Sequence, residues 1–239
     1  RKNKKFINNF ISDIFKYDKT KKVLDFGCGF QNNTLWKQNI MIDGIDIDLG
    51  ILNSRYCNVG NKKQRLFIGN LCDRKKDLCQ NPVYTHYDNI DLDRMYDSYD
   101  RIVSLMSIHN CFRTDDGFDN FMDFVNERTK INSEFLVTFI DEDELFCDED
   151  LINLPGSSYL RKINSKNDEQ SWIKMYYSWR HNKVVEEPII SSNKFIPLML
   201  RKGWDVKMEK IVDYRLDESN PWSQVASSNK VYVFTKIRS

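Results

Sequence analysis

Between residues 23 and 140 short runs of strand formers alternate with stretches able to form helices, and few folds accommodate that order. The strand candidates are 23–26, 40–46, 65–69, 101–108 and 134–140, with helix-capable stretches such as 49–56 and 118–130 between them. Antiparallel hairpins need no helix between strands, whereas parallel neighbours need a crossover. The alternation therefore predicts an α/β protein with a mostly parallel sheet covered by helices on both faces.

Outside this core the pattern differs. Residues 1–16 set Phe6, Ile7, Phe10, Ile11, Ile14 and Phe15 at helical spacing behind a basic start at Arg1, Lys2, Lys4 and Lys5. Residues 84–100 are polar, acidic and rich in tyrosine, and read as a solvated excursion before the fourth strand. After residue 150, "WIKMYYSWRHNKVVEE" alternates like two antiparallel strands, 195–202 is helical and stopped by Gly203, and "KVYVFTK" reads as a closing strand. At 239 residues and 41% hydrophobic content the chain can bury one sizeable core, so a single domain over 1–239 is expected, with 1–20 as a helical extension. A start at Arg1 rather than a methionine suggests a domain excised from a longer protein.

Charge and cysteine usage narrow the chemistry. Thirty-six basic against 35 acidic residues leave +1, so an anion site has to be local rather than a whole-surface field. No apolar run reaches the roughly 18 residues a membrane span needs, and no signal-peptide core is visible, which predicts a soluble protein. Six cysteines without a CxxC pair, and only three histidines, show no metal-ligand spacing and read as reduced thiols.

The first strand ends in Asp25-Phe26-Gly27-Cys28-Gly29, where glycines let a ligand approach free backbone N–H groups. A dinucleotide site would place a third glycine near position 32, where Asn32 stands, and the acid would repel a pyrophosphate. It suits a ligand bearing an ammonium and a sulfonium, namely S-adenosylmethionine. Asp46, 21 residues after Asp25 and ending "GIDID", is placed to accept hydrogen bonds from a ribose diol. Asn70, ending "LFIGN", lies where an adenine would be read. A plain strand-to-helix turn is the competing reading of the glycines.

With these residues in view, the sequence resembles the mRNA cap (guanine-N7) methyltransferases, most closely those of poxvirus-like, virus-like cytoplasmic capping enzymes. "VLDFGCG" is similar to the family's cofactor motif and "GIDID" to its ribose-binding acid. "YDRIVSLMSIHNCF" resembles the segment ending in His-Tyr-Ser-Phe, "VTFIDEDEL" with "NLPGSSY" the region after the fifth strand, "VVEEPII" the segment of a cap-binding glutamate, and "VYVFTK" the closing strand. The resemblance implies a Rossmann-like class I S-adenosylmethionine-dependent methyltransferase with a seven-stranded sheet, in which residues 150–239 form the substrate side. It implies Asp25, Gly27, Gly29, Asp46, Asn70, Leu71 and Leu105 at the cofactor, and Asn8, Asn9, His109, Asn110, Glu187 and Asn229 at the cap. Glu187 would accept from guanine N1–H and the 2-amino group, with His109 against the base.

The activity so implied is methyl transfer to N7 of the guanosine cap of mRNA, by in-line displacement with no general base and no catalytic metal. Partners would be the capped RNA 5′ end, a small stimulatory subunit, and upstream triphosphatase and guanylyltransferase domains, with neither membrane nor DNA involved. The compartment would be cytoplasmic, the nucleus being that of cellular relatives. Departures from the family stand at Ser12, Asn70, Asn110 and Asn229, the last two at positions of aromatic residues. Phe112, Trp179 and Trp222 are then the candidate rings to stack on a guanine. Basic clusters at Lys2/Lys4/Lys5, Lys62/Lys63/Arg65 and Arg74/Lys75/Lys76 are candidates for the phosphates or for plain solvation. Two alternatives are a methyltransferase with another acceptor and a partner-dependent or non-catalytic binding subunit of the same fold; His109 as a satisfied core histidine and Glu187 as a solvated acid are the bland readings.

Overall fold

The structure is a computed structural model that describes residues 18, 20–29, 34–38, 40–47, 63–72, 95–145, 150–154, 158–164, 170–178, 182–211 and 229–238. In chain order the strands are β1 (Lys22–Phe26), β2 (Met41–Asp46), β3 (Gln64–Ile68), β4 (Tyr99–Leu105), β5 (Thr129–Ile140) and β6 (Leu151–Leu154). They continue with β7 (Ser158–Asn164), β8 (Gln170–Ser178), β9 (Lys183–Pro188), β10 (Trp204–Ile211) and β11 (Asn229–Lys236). Two α-helices are described, α1 (Gly117–Glu127) and α2 (Ser192–Arg201).

Seven strands form one sheet in the order β10-β11-β5-β4-β1-β2-β3. The five from β3 to β5 run parallel, β11 is antiparallel to β5, and β10, antiparallel to β11, closes the edge. Its central strands are apolar on both faces, as burial on both sides requires. Leu24, Ile102, Phe135, Val137, Phe139, Tyr232 and Phe234 point to a core that α1 and α2 complete with Phe118, Phe121, Met122, Phe195 and Met199. Val23, Ile42, Val103, Leu136, Val231 and Val233 point the other way, onto Leu35 and Trp36 of the short turn Thr34–Lys37. Both described helices therefore cover one face. The expected helices at 1–16 and 49–56 lie outside the described residues.

The remaining strands form a separate antiparallel sheet, β6-β7-β8-β9, inserted between β5 and α2. It meets the large sheet where the chain leaves β9: Ile190 bridges to Asp141, and its carbonyl accepts from Glu142 N (2.8 Å). Helix α2 then starts three residues before the expected position, because Ser191 Oγ accepts from Lys194 N and Asp143 accepts from Ser191 Oγ, Ser192 Oγ and Asn193 N. It stops as expected at Gly203, which has φ +87°.

Two boundaries differ for local reasons. The fourth strand ends at Leu105 rather than 108 because Met106 takes φ +55°, after which Ile108–Phe112 wind into a 3₁₀ turn. The fifth strand starts at Thr129, inside the stretch expected to be helical, because Thr129 Oγ1 donates to Val125 O (2.7 Å) and ends α1. Of the tyrosine-rich excursion, 84–94 lie outside the described residues. Its end is anchored rather than solvated: Tyr96 N and Tyr99 OH donate to the buried Asp43.

Candidate functional site

The carboxyl ends of β1, β2 and β4 meet around the glycine turn. Gly27 and Gly29 both take positive φ, +67° and +51°. Gly27 N and Cys28 N donate to Ile45 O, and Gly29 N to Asp46 Oδ2 (2.9 Å), which folds the turn against the end of β2. Ser107 Oγ donates to Phe26 O (2.7 Å) and ties the segment after β4 to the same turn. The two glycines then differ: a Cβ on Gly27 would stand 2.3 Å from Ser107 Cβ, whereas one on Gly29 would meet nothing within 4 Å. Among the described residues nothing therefore crowds the Gly29 backbone, which a ligand's methionine-like end can approach, and the Asp46 carboxylate lies beside it. The residues present fit S-adenosylmethionine at these two points.

Asp25 sits deeper. Its side chain is buried and its Oδ2 accepts from Trp36 Nε1 at 2.6 Å. Asn70 is exposed, and its Oδ1 closes a local turn onto Cys72 N (3.0 Å), while Leu71 is buried in the core and Leu105 packs partly buried against the opposite core.

A shallow, open hollow lies beyond the ends of β4 and β5. Met106, His109, Phe139, Lys174, Glu187 and Ile190 line it. Here the two principal cap-site candidates, 78 residues apart in sequence, converge: His109 Nε2 lies 3.5 Å from Glu187 Oε1. His109 Nε2 is buried and makes no hydrogen bond among the described residues. Glu187 is better held. Lys174 Nζ donates to its Oε2 (3.1 Å), Tyr176 OH to its Oε1 (3.0 Å), and Arg113 Nη2 stands 3.8 Å away. Burial alone would raise the Glu187 pKa, but His109 and the Lys174 ammonium outweigh it and hold the carboxyl down at about 2. Glu187 is therefore an ionised acceptor rather than a solvated residue. Tyr176 moves the other way, its phenol pushed up to about 12 by burial and by the Glu187 charge.

The other expected residues scatter more. Asn110 turns inward, its Nδ2 donating to Ser107 O (3.1 Å). Asn229 opens β11 opposite Ile140, which lines the hollow, but Asn229 itself is not one of the lining residues. Phe112 is not a free ring: it stacks on Phe118 (5.1 Å, 22°) and meets Phe195 edge-on, so the aromatic core claims it. Asn8, Asn9, Ser12, Trp179 and Trp222 lie outside the described residues, as do Asn32 and the basic clusters apart from Lys63 and Arg65. Arg65 spends its guanidinium on Asp43 in a two-pronged pair (2.7 and 2.8 Å), which removes it as a phosphate ligand. Lys174, Tyr176 and Arg113 were not anticipated. Their signal lay in the hairpin register, since Lys174 pairs directly with Glu187.

No protein-family model matches the chain, and no curated protein matches it. Solved structures do. The methyltransferase CcbJ of Streptomyces caelestis superposes with a TM-score of 0.61 at 11% identity, over 99% of this chain and 90% of that one. A Listeria monocytogenes protein described as an S-adenosylmethionine-dependent methyltransferase gives 0.60 at 12%, over 99% of both chains. The S-adenosylmethionine-bound amino pentose methyltransferase CalS10 of Micromonospora echinaspora gives 0.54 at 11%, over 98% and 90%. Together with the strand order and the glycine turn, these matches establish that the chain has the Rossmann-like, class I fold of the S-adenosylmethionine-dependent methyltransferases.

Proposed function

We propose that this chain is an S-adenosylmethionine-dependent methyltransferase and that its acceptor is N7 of the guanosine cap of mRNA. The cofactor reading draws on the positive-φ glycine turn with its uncrowded Gly29 backbone, on Asp46 beside it, and on the cofactor held by a neighbour of the same fold. The acceptor reading is carried by one observation: Glu187, an ionised carboxylate, and His109 stand side by side, 3.5 Å apart, in the lining of one hollow at the carboxyl ends of β4 and β5. A carboxylate there suits the N1–H and 2-amino edge of guanine, and the resemblance of the surrounding motifs to cap methyltransferases favours that base over others.

When bound, S-adenosylmethionine supplies the methyl group on a sulfonium. Guanine N7 carries an in-plane lone pair, so the protein has no proton to remove from it. The work of Glu187 and His109 is to bind and orient the base. Alignment of this kind is worth up to roughly 7–11 kcal/mol in favourable intramolecular reactions.

The test is methyl incorporation from labelled cofactor into RNA of one sequence, capped with unmethylated guanosine or left uncapped. Label should enter the capped RNA only, and Glu187→Ala should raise KM for it by about 10- to 100-fold, the range of a lost hydrogen bond to a charged group. Equal incorporation into uncapped RNA would remove the acceptor assignment.

A further inference from the structure

Glu187 can read a pair of N–H donors only if its carboxylate plane is fixed and each oxygen keeps a spare acceptor position. The neighbouring strand meets both conditions. Lys174 stands opposite Glu187 in the β8–β9 pairing, and Tyr176, two residues along β8, lies on the same face of the sheet. Lys174 Nζ takes one position on Oε2 and Tyr176 OH one on Oε1. Each oxygen offers about two lone-pair directions. His109 Nε2, though close to Oε1, makes no hydrogen bond of proper geometry with it, which leaves about one acceptor position on each oxygen in the carboxylate plane. Rotation of the carboxylate out of that plane would break both hydrogen bonds. The other charged or titratable groups facing Glu187 are His109 and Arg113, from the 3₁₀ turn after β4 and its end, at 3.5 and 3.8 Å.

We propose that Lys174 and Tyr176 are positioning residues that clamp the Glu187 carboxylate, and that this clamp gives the pocket its preference for acceptors with two adjacent N–H donors over those with one. The inference rests on reading the hollow as the site of the acceptor base. Burial would otherwise favour the protonated form of Glu187, which presents a donor where an acceptor is needed; the contacts around it keep it ionised.

Calorimetric titration of the protein with two cap analogues, one carrying guanosine and one inosine, tests this, since inosine lacks the 2-amino group. The unmodified protein should prefer the guanosine analogue by about 10-fold or more. In Tyr176→Phe and Lys174→Met the ratio of the two affinities should fall toward one, with S-adenosylmethionine affinity unchanged within about twofold, and Lys174→Arg should recover part of the ratio. A merely structural role would weaken both analogues by one factor and keep the ratio, and that result would overturn the clamp. Glu187→Ala separates the two layers. If it leaves guanosine-analogue binding unchanged, the acceptor-site reading fails and the clamp with it; if it abolishes the preference while Tyr176→Phe and Lys174→Met keep it, only the clamp fails.

Discussion

Gly27 and Gly29 share a backbone conformation and differ in what surrounds them, which makes them a controlled comparison. Alanine at 27 adds the left-handed penalty to a clash with Ser107, so Gly27→Ala should lose about 2–4 kcal/mol of stability in urea unfolding. Alanine at 29 meets no described atom within 4 Å and should lose only about 1 kcal/mol, yet its methyl would stand where the cofactor approaches the turn, so cofactor affinity should fall more than stability does. Glu187 gives a pH signature. Its folded pKa, about 2, lies below the ordinary 4.5, so its ionisation stabilises the fold fully above pH 4.5 and progressively less as pH falls through about 2. The contribution is up to about 3 kcal/mol by linkage. The stability gap between the unmodified protein and Glu187→Gln should therefore be widest above pH 4.5 and close toward pH 2 in acid-dependent urea titrations. Met106 carries a different lesson: a methionine gives no hint of positive φ, so the break it makes before the 3₁₀ turn was invisible in the sequence.

Between elements, one ammonium holds three segments together. Lys230 on β11 lies 3.0 Å from Asp141 after β5, 2.9 Å from Glu144 in the next turn and 3.0 Å from Glu209 on β10. Burial opposes its charge, but the three carboxylates win and raise its pKa. Asp141 is wholly buried, so Lys230→Met should leave an uncompensated carboxylate and lose about 3 kcal/mol, read by chemical denaturation. The same elements mark where sequence reading worked. Strands β1, β2, β4, β5, β11 and both helices were legible because burial imposes a hydrophobic pattern on each, whereas β3, β8 and β9 were read from strand-forming residues with only partial burial. Strand β10 was not: Lys207, Met208, Glu209 and Lys210 are exposed on a sheet edge, so no buried face imposes an alternation there. Strands β6 and β7 contribute few buried side chains, chiefly Ile152 and Leu160. Motif resemblance singled out His109 and Glu187, which the structure brings to 3.5 Å of each other, whereas the contacts of Lys174 and Tyr176 with Glu187 come from cross-strand register, which a single strand does not encode.

At the scale of the molecule, the large sheet places the glycine turn and the hollow at the carboxyl ends of its parallel strands, while the inserted sheet brings Glu187 to that end from outside. The net charge of +1 gives no long-range pull on RNA, so selectivity would rest on local contacts such as these. The sheet order has a temporal consequence. Among the described strands β10 pairs only with β11, which is made after it and slots between β10 and β5. During synthesis β10 therefore emerges before the strand that joins it to the sheet, and the flank of β5 stays uncovered until β11 follows.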